Sequence, residues 1–380
     1  MSLSIVRRMP RLLVVLTTAA ALAGCSSGAD TDAAPSSGDV VVKTDDATCE
    51  LSAATAPAGT VTYRVTNAGS KVTEFYVYAE GDRVVGEAAN IKPGGSRDLK
   101  VELASPGTFT VACKPGMVGD GIRHEFTVTG ATSTGNADEK VTRAIAAYRE
   151  FVGGQSDELV ARTTEFVVAI KAGDVARAKS LYPQARLPWE MIEPVAESFG
   201  DLDPRIDGRE DVVDEGMAFT GYHRLEKDLW VTGLQPDSTK IADQLLADVS
   251  DIAAKAQTVE PDALSIANGA KALLDEVATG KITGEEERYS HTDLWDFKGN
   301  LQGSQAALET LRPVVTPRDA ALQQALDAKF AELNMLLDSH RSGGAYVSYT
   351  RLTDADVKKL TVALDALAEE VAKVPGVVAG

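Results

Sequence analysis

Cysteine, histidine and positive charge are all in short supply in this 380-residue chain. Of its 3 Cys, none lies beyond Cys113, so the long C-terminal part has no thiolate ligand and no disulfide. Of its 4 His, none lies one helical turn from His223, so the H-E-x-x-H arrangement of zinc proteases is missing there. Lys and Arg number 38 against 56 Asp and Glu, for a formal charge of −18. Arg7, Arg8 and Arg11 fall in a segment expected to be removed, which leaves the rest more acidic still. Such a surface repels phosphate backbones and excludes nucleic acid as a partner. Long apolar runs are missing too. The run Leu12 to Leu22 is too short for a permanent span. A composition 44% hydrophobic and 25% charged excludes disorder and a multi-span membrane protein, and the length suits two domains.

What is present begins with an address. Arg7, Arg8 and Arg11 precede the apolar run, which ends in Leu22-Ala23-Gly24-Cys25. Small residues before a cysteine suit a bacterial lipobox, so residues 1–24 read as a signal peptide and Cys25 as a lipidated N-terminus. Residues 25–38 are rich in Ser, Gly, Ala, Asp and Pro and read as a flexible tether.

The mature chain then divides by periodicity. Over 39–130 the apolar positions alternate, as in Val61, Tyr63, Val65 and Leu99, Val101, Leu103, with Gly and Pro at the turns. About seven short strands predict an all-β sandwich. Residues 131–137 are a Ser/Thr/Gly linker. From 138 to 376 the period becomes helical, and eight helices joined by short loops predict an all-α bundle. Pro261 and Pro317 are expected at first helical positions, Thr353 before an acidic first turn, and a division into two four-helix groups near residue 258.

Two constellations carry chemistry. In the sandwich, Cys113-Lys-Pro-Gly-Met117 puts a thiolate four residues before a thioether on a loop, a soft-metal arrangement. Cys49 would add a second thiolate, joined by Glu74, in a set suited to copper or iron. A Cys49–Cys113 disulfide is the equal alternative in an oxidising compartment. His124 shares parity with Phe126 and Val128 and is expected to pack inside. In the helical part, Gly221-Tyr-His223-Arg-Leu-Glu226 sets an imidazole and a carboxylate at i and i+3 on one face. Glu190 and Glu193 form another such pair, and Asp203 and Asp207 follow. Imidazole with hard carboxylate oxygens suits iron, zinc or manganese. The acidic run Glu285–Glu287, with His291, Asp293 and Asp296, reads as an acidic helix N-terminus. Arg224 and Lys227 offer the alternative of surface ion pairing.

These residues, in the order Glu190-x-x-Glu193-Pro, Gly-x-His223-x-x-Glu226 and Glu-Glu-Arg-Tyr-Ser-His-Thr-Asp-Leu-Trp-Asp, resemble the EfeO-type components of bacterial elemental-iron uptake systems. The helical part is similar to the imelysin-like (M75 peptidase-related) domain and the sandwich to a cupredoxin-like domain. The resemblance implies iron binding outside the cytoplasm, delivery to a membrane permease and a haem-peroxidase-type third component. A zinc-dependent metallopeptidase is the competing reading, and a cell-wall interaction module a third.

Overall fold

The computed structural model describes residues 39–131, 138–196, 199, 202–211 and 218–379. The signal, the tether and the segment 132–137 lie outside the described residues, and Cys25 with them.

Nine strands form the N-terminal part: β1 (Asp39–Thr44), β2 (Cys49–Leu51), β3 (Thr55–Pro57), β4 (Gly59–Asn67), β5 (Thr73–Tyr78), β6 (Val84–Ile91), β7 (Ser96–Leu103), β8 (Gly107–Pro115) and β9 (Ile122–Thr129). They make two sheets, ordered β2-β1-β4-β7 and β3-β9-β8-β5-β6. Alternation decides which side chains enter the core. Val61, Tyr63 and Val65 of β4 face Phe75 and Val77 of β5 and Phe126 and Val128 of β9 across a shared interior. This is the expected sandwich, with two short strands, β2 and β3, beyond those read from the sequence.

His124 is exposed rather than packed. The core row of β9 is interrupted between Phe126 and Ile122, and His124 lines a shallow surface depression with Glu50, Leu51 and Ala54. Cys49 of one sheet and Cys113 of the other are joined by a disulfide, with Cα atoms 5.8 Å apart. The thiolate pair expected for a soft-metal site is therefore replaced by a staple between the two sheets.

Among the described residues ten helices follow: α1 (Glu139–Lys171), α2 (Val175–Ala196), α3 (Leu202–Asp207), α4 (Gly221–Lys227), α5 (Ser238–Ala256), α6 (Ala263–Thr279), α7 (Asp293–Arg318), α8 (Ala320–Asp338), α9 (Asp354–Val371) and α10 (Val374–Ala379). A small hairpin, β10 (Arg341–Ser342) with β11 (Ala345–Tyr346), joins α8 to α9. Thr353 caps α9 through a capping box with Asp356, as its position suggests. The prolines act differently from expectation. Pro261 precedes the cap Asp262 of α6, and Pro313 and Pro317 both lie inside α7, which runs to Arg318. Asp319 then caps α8. The expected two groups merge into one interior, because α7 packs on α1, α2, α6 and α8 and the core is continuous.

The sandwich rests on α6. Arg97 pairs with Asp275 at 3.0 Å, and Asn268 Nδ2 donates to the carbonyl of Lys100 at 2.8 Å. Glu276, the residue after Asp275, lines a cleft.

Candidate metal centre

Four chain segments converge on His223. The helix that carries it, α4, starts at Gly221, whose φ is +74°. A Cβ there would strike the backbone carbonyls of Arg205 and Ile206, so only glycine lets α4 begin against the end of α3. That approach brings His223 beside Asp207, the last residue of α3. Downstream of α4 the helix widens into a π turn, Asp228–Thr232, tied by Asp228 to the Ser238 hydroxyl at 2.6 Å.

His223 is buried, and its two nitrogens have different surroundings. Nδ1 lies 3.1 Å from Glu226 Oε2. The other oxygen of Glu226 accepts from the backbone N–H groups of Tyr289 (2.9 Å) and Ser290 (2.7 Å). Both oxygens of Glu226 are thus occupied, and the contact to Nδ1 fixes the orientation of the imidazole ring. Nε2 has no hydrogen-bond partner among the described residues. It faces Asp207 Oδ1 at 3.6 Å and Glu286 Oε1 at 3.7 Å. Ligands that each sit roughly 2.1 Å from one small cation stand about 3–3.7 Å apart, so these three atoms bracket a space of the right size. Glu287, also within reach of His223, is turned toward Tyr182 and Ser290, whose hydroxyls donate to it at 3.2 and 2.8 Å.

The charges are arranged around that gap. Burial works to raise Asp207, but Arg186 and His223 outweigh it and hold the carboxyl below its usual range. Burial likewise opposes ionisation of Glu286, which Lys281 and His223 hold well below the usual range. For His223 itself, burial and Arg186 push the pKa down; Asp207, Glu226 and Glu286 prevail and set it well above that of an ordinary imidazole.

Glu190 and Glu193, expected as ligands, are not beside His223. They extend with Arg186 along one face of α2, and two buried cations take them up. Arg186 holds Glu190 at 2.5 Å, and Lys281 lies 2.9 Å from Glu190, 3.1 Å from Glu193 and 2.8 Å from Glu276. Carboxylates buried this deeply need paired charge, which is why they turn to these cations. Asp203 lies one turn before Asp207 and lines an open cleft of about 430 Å³ that leads to Asp207 and Glu286. Burial, with Asp207 and Glu193 nearby, pushes Asp203 up to about 8.

The sandwich contributes Lys114, Met117 and Gly119 to that cleft. Met117 is 47% exposed on the β8–β9 loop, at a positive φ of 60°. Glu74 accepts from Tyr76 at 3.0 Å and pairs in register with Lys114, on the face of β5 opposite Phe75. Cys49, Cys113, Met117 and Glu74 are therefore not one metal site: the two sulfurs are spent in the disulfide, and Glu74 faces away from them. Arg224 and Lys227 do pair with carboxylates, but with Asp228 and Asp237, and with Glu210.

The sequence reading missed Glu286 and Glu287 as site residues and left Asp207 out of the ligand set. The run Glu285–Glu287 does not begin a helix. It belongs to a turn ending at His291, whose N–H returns to the carbonyl of Glu287 at 2.8 Å, and α7 begins only at Asp293.

Residues 144–374 match the family described as imelysin (Peptidase M75), and residues 13–128 match the cupredoxin-like domain. The chain is 38% identical over 347 residues to the iron uptake system component EfeO of Escherichia coli O1:K1, covering 89% of this chain and 91% of that protein. It is 37% identical over the same length, with the same coverage, to the proteins of that name in Escherichia coli K12 and Shigella flexneri. A solved reduced auracyanin from Roseiflexus castenholzii aligns with 25% of this chain and all of its own at 17% identity, with a TM-score of 0.22.

Proposed function

Since the chain belongs to the EfeO family, with an imelysin domain behind a cupredoxin-like one, we propose that it is an iron-binding component of an uptake system that works outside the cytoplasm. Iron is its cargo. The observation that carries this reading is the buried, unpartnered Nε2 of His223, aimed between two ionised carboxylates. A buried ring nitrogen that makes no hydrogen bond is costly, and a cation that displaces its proton would satisfy it. His223, Asp207 and Glu286 are the proposed ligands, and Glu226 orients the ring. Asp203, Glu193 and Glu276 line the approach. One imidazole with carboxylate oxygens favours a borderline or hard ion, iron in function and zinc or manganese as surrogates.

The ion would pass to a membrane permease of the same system, with a haem-peroxidase-type protein as the third component, and Cys25 would hold the chain to the outer face of the membrane by its lipid. Among the described residues no helix is long and apolar enough to cross a membrane. With its cysteines bonded, the cupredoxin-like domain acts through the wall it adds to the cleft rather than as a thiolate copper site. A peptidase reading finds no support in His223, which has no second histidine on its helix, and the relatives are named as uptake components.

The test is a titration of the full mature chain with Fe²⁺ under anaerobic conditions. His223→Ala should weaken binding at least about a hundredfold, and Asp207→Asn or Glu286→Gln at least about tenfold. Neutralising the exposed Asp365 and Glu369 on α9 should change it little. Equal losses from the two sets would mean that diffuse acidity holds the ion. Cys25→Ala should release the protein from membranes on fractionation, and unchanged fractionation would remove the anchor.

A further inference from the structure

The cluster around His223 contains a side chain with no part in ligation. Arg186, on α2, is fully buried, and its guanidinium meets carboxylates from four segments. Nε lies 2.7 Å from Glu287 Oε1 and 3.3 Å from Asp296 Oδ1. Nη2 lies 2.5 Å from Glu190 Oε1, 3.3 Å from Asp207 Oδ2 and 3.8 Å from Glu286 Oε1, and Nη1 binds Asp207 Oδ1. One face of the group stacks toward Tyr222, 5.6 Å from the ring centroid.

Two points of geometry make this more than a structural ion pair. First, the oxygens that Arg186 approaches on Asp207 and Glu286 include the two that face His223 Nε2. Second, Asp207 ends α3 whereas Glu286 belongs to the turn before α7, so no backbone element fixes one relative to the other. A guanidinium can do so. It is planar, permanently charged and carries donors in a fixed fork, so it can hold several carboxylates at set angles. An ammonium group is a point charge and sets no such angles.

Resting on the reading of His223 as an iron site, we propose that Arg186 is its positioning residue: a fixed cation that holds Asp207 and Glu286 in place for the metal and that a lysine cannot replace. Arg186 does not bind the ion. It keeps the two ligands at ligand spacing while the site is empty, so binding does not require their reorganisation.

The experiment compares wild-type full-length protein with Arg186→Lys and His223→Ala, using Co²⁺ as the probe. Each is read by Kd and by the visible absorption of the bound ion, with the melting temperature recorded beside them. Arg186→Lys keeps the buried charge and loses the fork. The expectation is about a 10- to 100-fold rise in Kd, the usual scale for groups behind the ligands, with an altered cobalt spectrum. A merely structural arginine would lower the melting temperature and leave the Kd and spectrum of the folded protein alone, and that result overturns the proposal. If His223→Ala binds like wild type, the iron-site reading itself fails. If His223→Ala abolishes binding while Arg186→Lys matches wild type, only this inference fails. Should Arg186→Lys not fold, a crystal structure of the Zn²⁺-loaded wild-type protein decides. Arg186 still paired with a metal-bound Asp207 supports the proposal, and Arg186 detached from both carboxylates overturns it.

Discussion

Metal binding at His223 should release a proton, and the release can be counted. In the metal-free protein the imidazole pKa is raised well above its ordinary value by Asp207, Glu226 and Glu286, against burial and Arg186. At pH 7 it is therefore an imidazolium, with the Nε2 proton aimed at the two carboxylates. A cation must take the place of that proton. Asp207 and Glu286 are held ionised, so they add no proton of their own near neutrality. One proton displaced per ion corresponds to a tenfold loss of apparent affinity, about 1.4 kcal/mol, for each pH unit of acidification. Calorimetric titration with Zn²⁺ in buffers of different ionisation enthalpy gives the proton count directly. Kd measured against a chromophoric chelator from about pH 5.5 to about pH 7.5 gives the slope. The expected outcomes are a count of at least one and a slope of at least one, both reduced in His223→Ala. A flat profile with no proton released would falsify the assignment of Nε2 as the ligand atom.

Other outcomes follow from the same structure. Gly221→Ala should destabilise the chain by at least about 2 kcal/mol in urea unfolding and abolish metal binding, since its φ is +74° and its neighbours are backbone carbonyls. Reducing Cys49–Cys113, which spans 64 positions, should cost the sandwich about 4 kcal/mol, and alkylation before reduction should label neither cysteine. Asp203 and Glu190 are both pushed up to about 8, chiefly by burial. Their contribution to the stability of the metal-free chain is fully present below about pH 4, where both states are protonated, and is lost as pH rises through about 8. The melting temperature should fall over that interval, and Asp203→Asn should flatten the fall.

Periodicity carried most of the architecture. The alternation at Val61, Tyr63 and Val65 and the helical runs after residue 138 each report which face is buried, and burial is local information. Helix ends were less legible. Pro317 looks like a helix start, yet it sits in the last turn of α7, because Asp319 supplies the cap that starts α8. The site was half legible. His223 and Glu226 stand out because i, i+3 spacing is visible along a chain. Glu286 and Asp207 do not, since their closeness to Nε2 arises only when α3, α4 and the turn before α7 pack together. Glu190 and Glu193 lie apart from His223 for the reciprocal reason: nothing in the sequence marks Arg186 and Lys281 as the buried cations that pair with them. For the same reason the spacing Cys113–Met117 suggested a ligand loop, whereas Cys49 lies close enough to Cys113 to bond it.

The seat of the sandwich on α6 has a mechanical consequence. Asp275 is gripped by Arg97 of the sandwich, and Glu276, the next residue, is gripped by Lys281 on the wall of the cleft. Neighbouring residues on a helix cannot move independently, so the two grips are the arms of a short lever with the helix as its pivot. A displacement of the sandwich at Arg97 would therefore reach the wall of the cleft through this one helix.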